Sequence, residues 1–279
     1  MYMALAGIRR CNFRSSMKIT SADPTKDEDQ VSDLVSTVSI GAGHLRKNGV
    51  SNQWIVSGYA SYSDHEEYDD LDHLSITGGF SWIHQPSVGY SSFWFGVSAN
   101  ATILEYRDSD AREGIFFDLD LNINRRLTTR VVRHLGYRYT DLVFLNKSAS
   151  EESRDAAFDT AAHEIYMGLD YEIMPFVDLF AEYAYRHGGI TSTVSGGVDA
   201  SVDYEAQSED PVFNQCTSPS SCSHRYSYRV VSDMQKLNIG IAFPLSRVNM
   251  DITASYFDAD GGGKHYENWM AKLGLVWNF

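Results

Sequence analysis

A chain of 279 residues that is 43% hydrophobic and 13% aromatic has the apolar content of a folded protein, and a net charge of −14 argues against nucleic acid as a partner. Its length suits one large all-β domain over 1–279, and it contains no run of about 18 apolar residues that would make a transmembrane helix. A membrane-spanning reading therefore requires a closed barrel, because an open sheet edge in hydrocarbon leaves backbone polar groups unpaired.

The opening "MYMALAGIRRC" lacks the apolar run and small-residue site of a secretory signal, so residues 1–10 read as an N-terminal extension or signal remnant. From there the chain alternates with period two. "CNFRSSMKIT" sets Phe13, Met17 and Ile19 against Asn12, Arg14, Ser16, Lys18 and Thr20, and strands follow at about 34–45, 52–63 and 72–84. "FWFGVSANATI" has Phe93, Phe95, Val97 and Ile103 on one parity. "IFFDLDLNIN" sets Phe117, Leu119 and Leu121 against Asp118, Asp120 and Asn122. Further strands are expected at about 129–145, in "HEIYMGLDY", "VDLFAEYAY", "KLNIGIAF" and "VNMDITASY", and in the closing "KLGLVWNF", which makes twelve.

The links alternate in length. Short ones at "RKNGVSN", "HQPSVGY", "NRRLTT", "IMPF" and "FPLSR" are interleaved with long polar ones, including "SADPTKDEDQVSD", "SDHEEYDDLD", "YRDSDAREG", "NKSASEESRDAAFD", 188–228 and "DADGGGKHYE". All six prolines are expected in links, since a central strand cannot spare an amide donor. Short turns on one side and long loops on the other is the plan of a transmembrane up-and-down antiparallel barrel. Alternation alone leaves a soluble sandwich open, in which the apolar parity would be the core.

The last strand, with Phe279 terminal and Trp277, Leu275 and Leu273 at every second place before it, resembles the C-terminal signal of Gram-negative outer-membrane β-barrel proteins. The resemblance covers the whole chain by pattern and names no subfamily. It implies that Leu273, Leu275, Trp277 and Phe279 engage the barrel-assembly machinery, that the surroundings are outer-membrane lipid and lipopolysaccharide, and that both termini are periplasmic.

On that reading the polar parity faces the lumen, with Arg14, Lys18, Asp118, Asp120, Arg130, His134, Arg138, Glu164, Asp170, Asp178, Glu182, Arg186, Lys236, Asp251 and Lys272 as its charged and titratable positions. These residues either form a polarised constriction for small polar solutes or ions, or pair with one another and fill the barrel. Trp94, Phe116, Tyr166 and Phe180 share the inward parity and narrow any path. Tyr106, Tyr139, Tyr185, Tyr256, Trp82, Trp269 and Trp277 fit interfacial girdles. Cys216 and Cys222, with five residues between them in a polar stretch, suit a loop-stapling disulfide, while Cys11 has no evident partner.

No Ser and His occupy i and i+2 on a strand's outer face as a membrane lipid hydrolase would need. His163 is flanked at that distance by Ala161 and Ile165, and Ser63 and His65 fall at an acidic loop. No metal-ligand or phosphate-loop motif is visible, and no cofactor is expected. The expected function is that of a non-enzymatic, porin-like channel, with a structural or export-associated barrel as the alternative.

Overall fold

The computed structural model describes residues 7–18, 30–66, 68–87, 89–107, 112–143, 157–195, 198, 200–209, 215–218, 221–223, 225–245 and 248–278. Its strands are β1 (Gly7–Lys18), β2 (Gln30–Asn48), β3 (Asn52–His65), β4 (His73–His84), β5 (Phe93–Tyr106), β6 (Gly114–Arg126), β7 (Val131–Val143), β8 (Ala161–Met174), β9 (Val177–Ser195), β10 (Ala206–Glu209), β11 (Gln215–Ser218), β12 (Ser221–Ser223), β13 (Arg225–Leu245), β14 (Val248–Gly261) and β15 (Lys264–Asn278). Each of β1 to β8 pairs antiparallel with the next, β9 pairs with β13, and β13, β14 and β15 follow in order. β15 returns to β1 with Gly7 opposite Asn278 and Lys18 opposite Glu267. Twelve strands thus close on themselves, which removes the unpaired edges that hydrocarbon forbids.

The faces are inverted relative to a soluble protein. Ile40 is 61% exposed, Ile165 59% and Met167 58%, and Val38, Val56, Ile76, Leu121 and Ile239 are exposed with them, so the outside is an apolar belt. Asp120, Glu164, Thr77, Ser75, Ser63, Ser232 and Ser255 are among the buried residues. β8 shows the alternation most plainly, with Ala162, Glu164, Tyr166 and Gly168 buried and Ala161, His163, Ile165, Met167 and Leu169 exposed. A soluble sandwich would carry Leu and Ile where these carboxylates lie, so that alternative fails.

Several expectations are corrected. Residues 7–10, placed in an N-terminal extension, belong to β1. The 188–228 link shrinks to 196–224, because β9 runs to Ser195 and β13 starts at Arg225. Above the rim the wall continues without β14, and β10 takes its place against β13, pairing Ala206 with Arg229 and Glu209 with Tyr226. "DADGGGKHYE" is no long loop, since β14 and β15 meet in a two-residue turn at Gly262 and Gly263, with φ of 57° and 75°. Positive φ at both central positions is the twist-matched hairpin geometry that glycine alone adopts freely. Pro244 is not in a link but in β13, opposite Asn249 near the strand end, where losing one donor disturbs little of the ladder. Pro24, Pro211, Pro219, Phe279 and the "TKDED" run lie outside the described residues.

Candidate functional site

The interior face is built on one repeated device: a large residue folded over a glycine directly across the ladder. Gly136 is paired with Tyr166, Gly168 with His134, Gly240 with Phe180, Gly96 with Asn122, Gly79 with Asn100 and Gly274 with Asp251. In each pair a Cβ on the glycine would collide with the partner's side chain. Alternating large and small residues lets the rings and amides lie along the wall, which leaves space on the barrel axis.

Strands β5 to β9 carry a connected polar ladder on that face. Arg138 donates to Glu164 at 2.7 Å and lies 3.3 Å from Asp120 and 3.7 Å from Asp118. The Tyr166 hydroxyl donates to both Asp120 oxygens, at 2.9 and 2.7 Å, with the Arg138 guanidinium 4.9 Å from its ring centroid. Asn100 donates to Asp118 at 3.0 Å, Asn122 to Asp120 at 2.7 Å and Asn124 to Asn122 at 2.6 Å. His134 lies 3.6 Å from both Asp170 and Glu182, and Asn238 donates to Glu182 at 3.2 Å. One guanidinium facing three carboxylates leaves this wall acidic, and the amides satisfy lone pairs that Arg138 cannot reach.

Of the positions expected on the lumen parity, Asp118, Asp120, His134, Arg138, Glu164, Asp170 and Glu182 come together in this ladder. Arg186 and Lys236 sit above it, and Asp251 packs over Gly274 in the lower half, with Lys272 on the adjacent inward position. Asp178 is exposed at the start of β9, and Arg130 precedes β7 in the turn and is exposed, so strand parity does not extend to it. β1 pairs Arg14 with Leu34 and Ala271, and Lys18 with Glu267.

The girdle expectation divides. Trp82 stacks on Trp54 at 5.7 Å on the outer face near the short turns, and Trp269 meets Tyr256 at 4.5 Å on the outer face near the long-loop rim. Tyr139 and Tyr185 are also outward, donating to Asp141 at 3.1 Å and Asp233 at 2.5 Å. Tyr106 instead turns inward, its ring 4.9 Å from His73, and lines the cavity described next. His163 is occupied by the Tyr137 hydroxyl at 2.6 Å, with the Tyr139 ring 5.1 Å from its own.

A cavity of about 600 Å³ opens inside the barrel toward the long-loop end. Its walls include Arg138, Glu164, Arg186, Lys236, Phe116, Phe257 and Tyr266. Arg112 and Phe158 enter from loops, guanidinium to ring centroid at 4.4 Å. Beyond it, Val202 packs with Tyr228, Val230, Ala259 and Tyr266 in an apolar cluster, so part of the 196–224 link dips into the mouth. These loop contributions escape sequence reasoning because no periodicity governs them. Asn100 and Asn122 were readable from strand parity, whereas Tyr266 fell in the stretch read as a long link.

No family model matches the chain, and no curated protein matches it by sequence. Among solved structures it is similar to the COG4313 outer membrane channel from Pseudomonas putida F1, with a TM-score of 0.62 at 8% identity, covering 100% of this chain and 96% of that one. The Pseudomonas putida toluene transporter TodX aligns at a TM-score of 0.48 and 8% identity over 99% and 90%. The NanC porin aligns at 0.47 and 7% over 98% and 100%. At 8% identity the first of these likenesses defines the fold alone, and the chain has the fold of an outer-membrane β-barrel.

Proposed function

We propose that the protein is an outer-membrane channel through which small polar solutes or ions pass passively along a narrow, charge-lined lumen. The observation that carries this reading is the inversion of faces around a cavity: an apolar belt outside, and inside a hydrogen-bonded set of carboxylates, amides and cations bordering open volume. Such a lumen replaces part of a solute's hydration shell while the surrounding belt stays in lipid. Both termini then lie on the periplasmic side with the short turns, the long loops face outward toward lipopolysaccharide, and the β15 end engages the barrel-assembly machinery. No catalytic step is part of the reading.

A second reading, a barrel that barely conducts and serves a structural or export role, is favoured by the apolar cluster around Val202 at the mouth and by the internal pairing of Arg138. Planar-bilayer recording of refolded protein separates the two. Steady single-channel currents support the channel, and silence over a wide voltage range overturns it.

A further inference from the structure

We propose, building on the channel reading, that the interior cavity is a binding site for an organic anion with an apolar body, the simplest being an aromatic monocarboxylate, and that it sets the solute class.

In a chain of net charge −14, the cavity wall carries Arg112, Arg138, Arg186 and Lys236 against Glu164 and Glu267. Glu164, the cross-strand partner of Arg186, accepts from Arg138 at 2.7 Å within the same wall, while Glu267 accepts from the Tyr256 hydroxyl at 3.1 Å and lies 3.6 Å from His265. Glu182, just below, is held by Asn238 and His134 and also feels the charges of Lys236 and Arg138. Arg186 donates to the Gly189 carbonyl at 3.1 Å. Among the described residues, neither Arg186 nor Lys236 has a carboxylate within 4.0 Å.

These two cations are neighbours. Arg186 is opposite Met234 and Lys236 is opposite Ala184, so they occupy diagonal inward positions whose Cα atoms are about 7–8 Å apart in an antiparallel pair. That spacing lets one carboxylate accept from both side chains. On the other side of Lys236, its cross-strand partner Phe257 holds a ring centroid 5.9 Å from the ammonium, and Phe116, Tyr266 and Met234 continue the apolar wall.

An inorganic anion would gain from the charges alone. A ligand joining a carboxylate to a ring also covers the aromatic wall, and a cavity of about 600 Å³ lies within the ~300–1,000 Å³ usual for small-molecule sites. A neutral amide of the same shape loses the charge-assisted bonds and leaves both cations as they were.

The test is a ligand-observed NMR titration of the refolded full-length barrel in detergent with benzoate and with benzamide. Benzoate is expected to bind about tenfold more tightly than benzamide, K236M and R186M each to lose about tenfold in benzoate affinity, and K236R to retain most of it. Equal binding of the two ligands to the wild-type barrel overturns the inference without recourse to any variant, as does benzoate affinity unchanged in K236M. Binding read this way needs no current. A silent bilayer with the benzoate preference intact overturns the channel reading alone, and a conducting barrel indifferent to the carboxylate overturns this inference alone.

Discussion

The Tyr166 ring occupies the space that a side chain at Gly136 would need, and its hydroxyl reaches Asp120 on the strand beyond. One glycine on β7 thereby lets β8 reach β6 across it, and the ring lies along the wall instead of across the lumen.

The variant G136A is expected to push the Tyr166 ring off β7 and break its bond to Asp120. Overpacking of this kind costs about 1–3 kcal/mol. Single-channel conductance should fall along with the urea midpoint of refolded protein. G136A with Y166F should remain impaired, because the collision is with the ring, whereas G136A with Y166A should recover conductance.

Arg138 is the main cation of the β6–β8 wall, at 2.7 Å from Glu164 and 3.3 Å from Asp120. Its side chain is 27% exposed, so the loss in R138Q should fall below the ~3–5 kcal/mol of a fully dry broken pair, on the order of 2–3 kcal/mol. Reversal potentials in a salt gradient should move toward cation preference, since three carboxylates are left unbalanced. Adding E164Q should return much of both losses.

At the mouth, Val202 packs against Tyr228, Val230 and Tyr266. V202D puts a charge into that cluster and should release the loop from the mouth. Larger currents and faster proteolysis between residues 196 and 224 are the expected readings, with the barrel itself remaining heat-modifiable on gels.

Outside the membrane span, beyond the Tyr256 and Trp269 rings, His265 lies 2.9 Å from Asp260. The hydrogen bond to Asp260 and the charge of Asp258 hold its pKa above the ordinary imidazole value. A raised folded pKa means that the pair's contribution is complete below about pH 6.5 and disappears as pH rises through the folded value. The group is well exposed, so the effect on stability is small. The His265 ring resonance should titrate with a midpoint above that of the same ring in D260N.

How much of this was legible in sequence follows the lipid. Where strands cross it, parity is enforced, and Leu119 and Leu121 against Asp118 and Asp120 read out both the strand and its faces. Above the rim no hydrocarbon enforces alternation, so Thr191, Ser192 and Thr193 of β9 and Ser227, Tyr228 and Arg229 of β13 looked like loop although they form ladder pairs. "GGG" looked like a long link because composition does not distinguish a flexible glycine run from one needed for positive φ at Gly262 and Gly263. Arg130 was extrapolated beyond the start of β7, and Tyr106 was assigned to the outside by its chemistry when its even-numbered parity, shared with Thr102 and Leu104, placed it inside. The partners of Arg138 follow from strand adjacency, whereas Arg112, Phe158 and Val202 come from loops that only three dimensions bring to the site.

A barrel in lipid must turn one parity of every strand outward. With Cys11, Cys216 and Cys222 changed to Ser, single spin labels from Phe117 to Ile123 in protein refolded into vesicles give collision rates with oxygen and with a water-soluble nickel complex. Oxygen accessibility should peak at Phe117, Leu119, Leu121 and Ile123, and nickel accessibility at Asp118, Asp120 and Asn122. The opposite phase, or no period of two, would contradict the barrel described above.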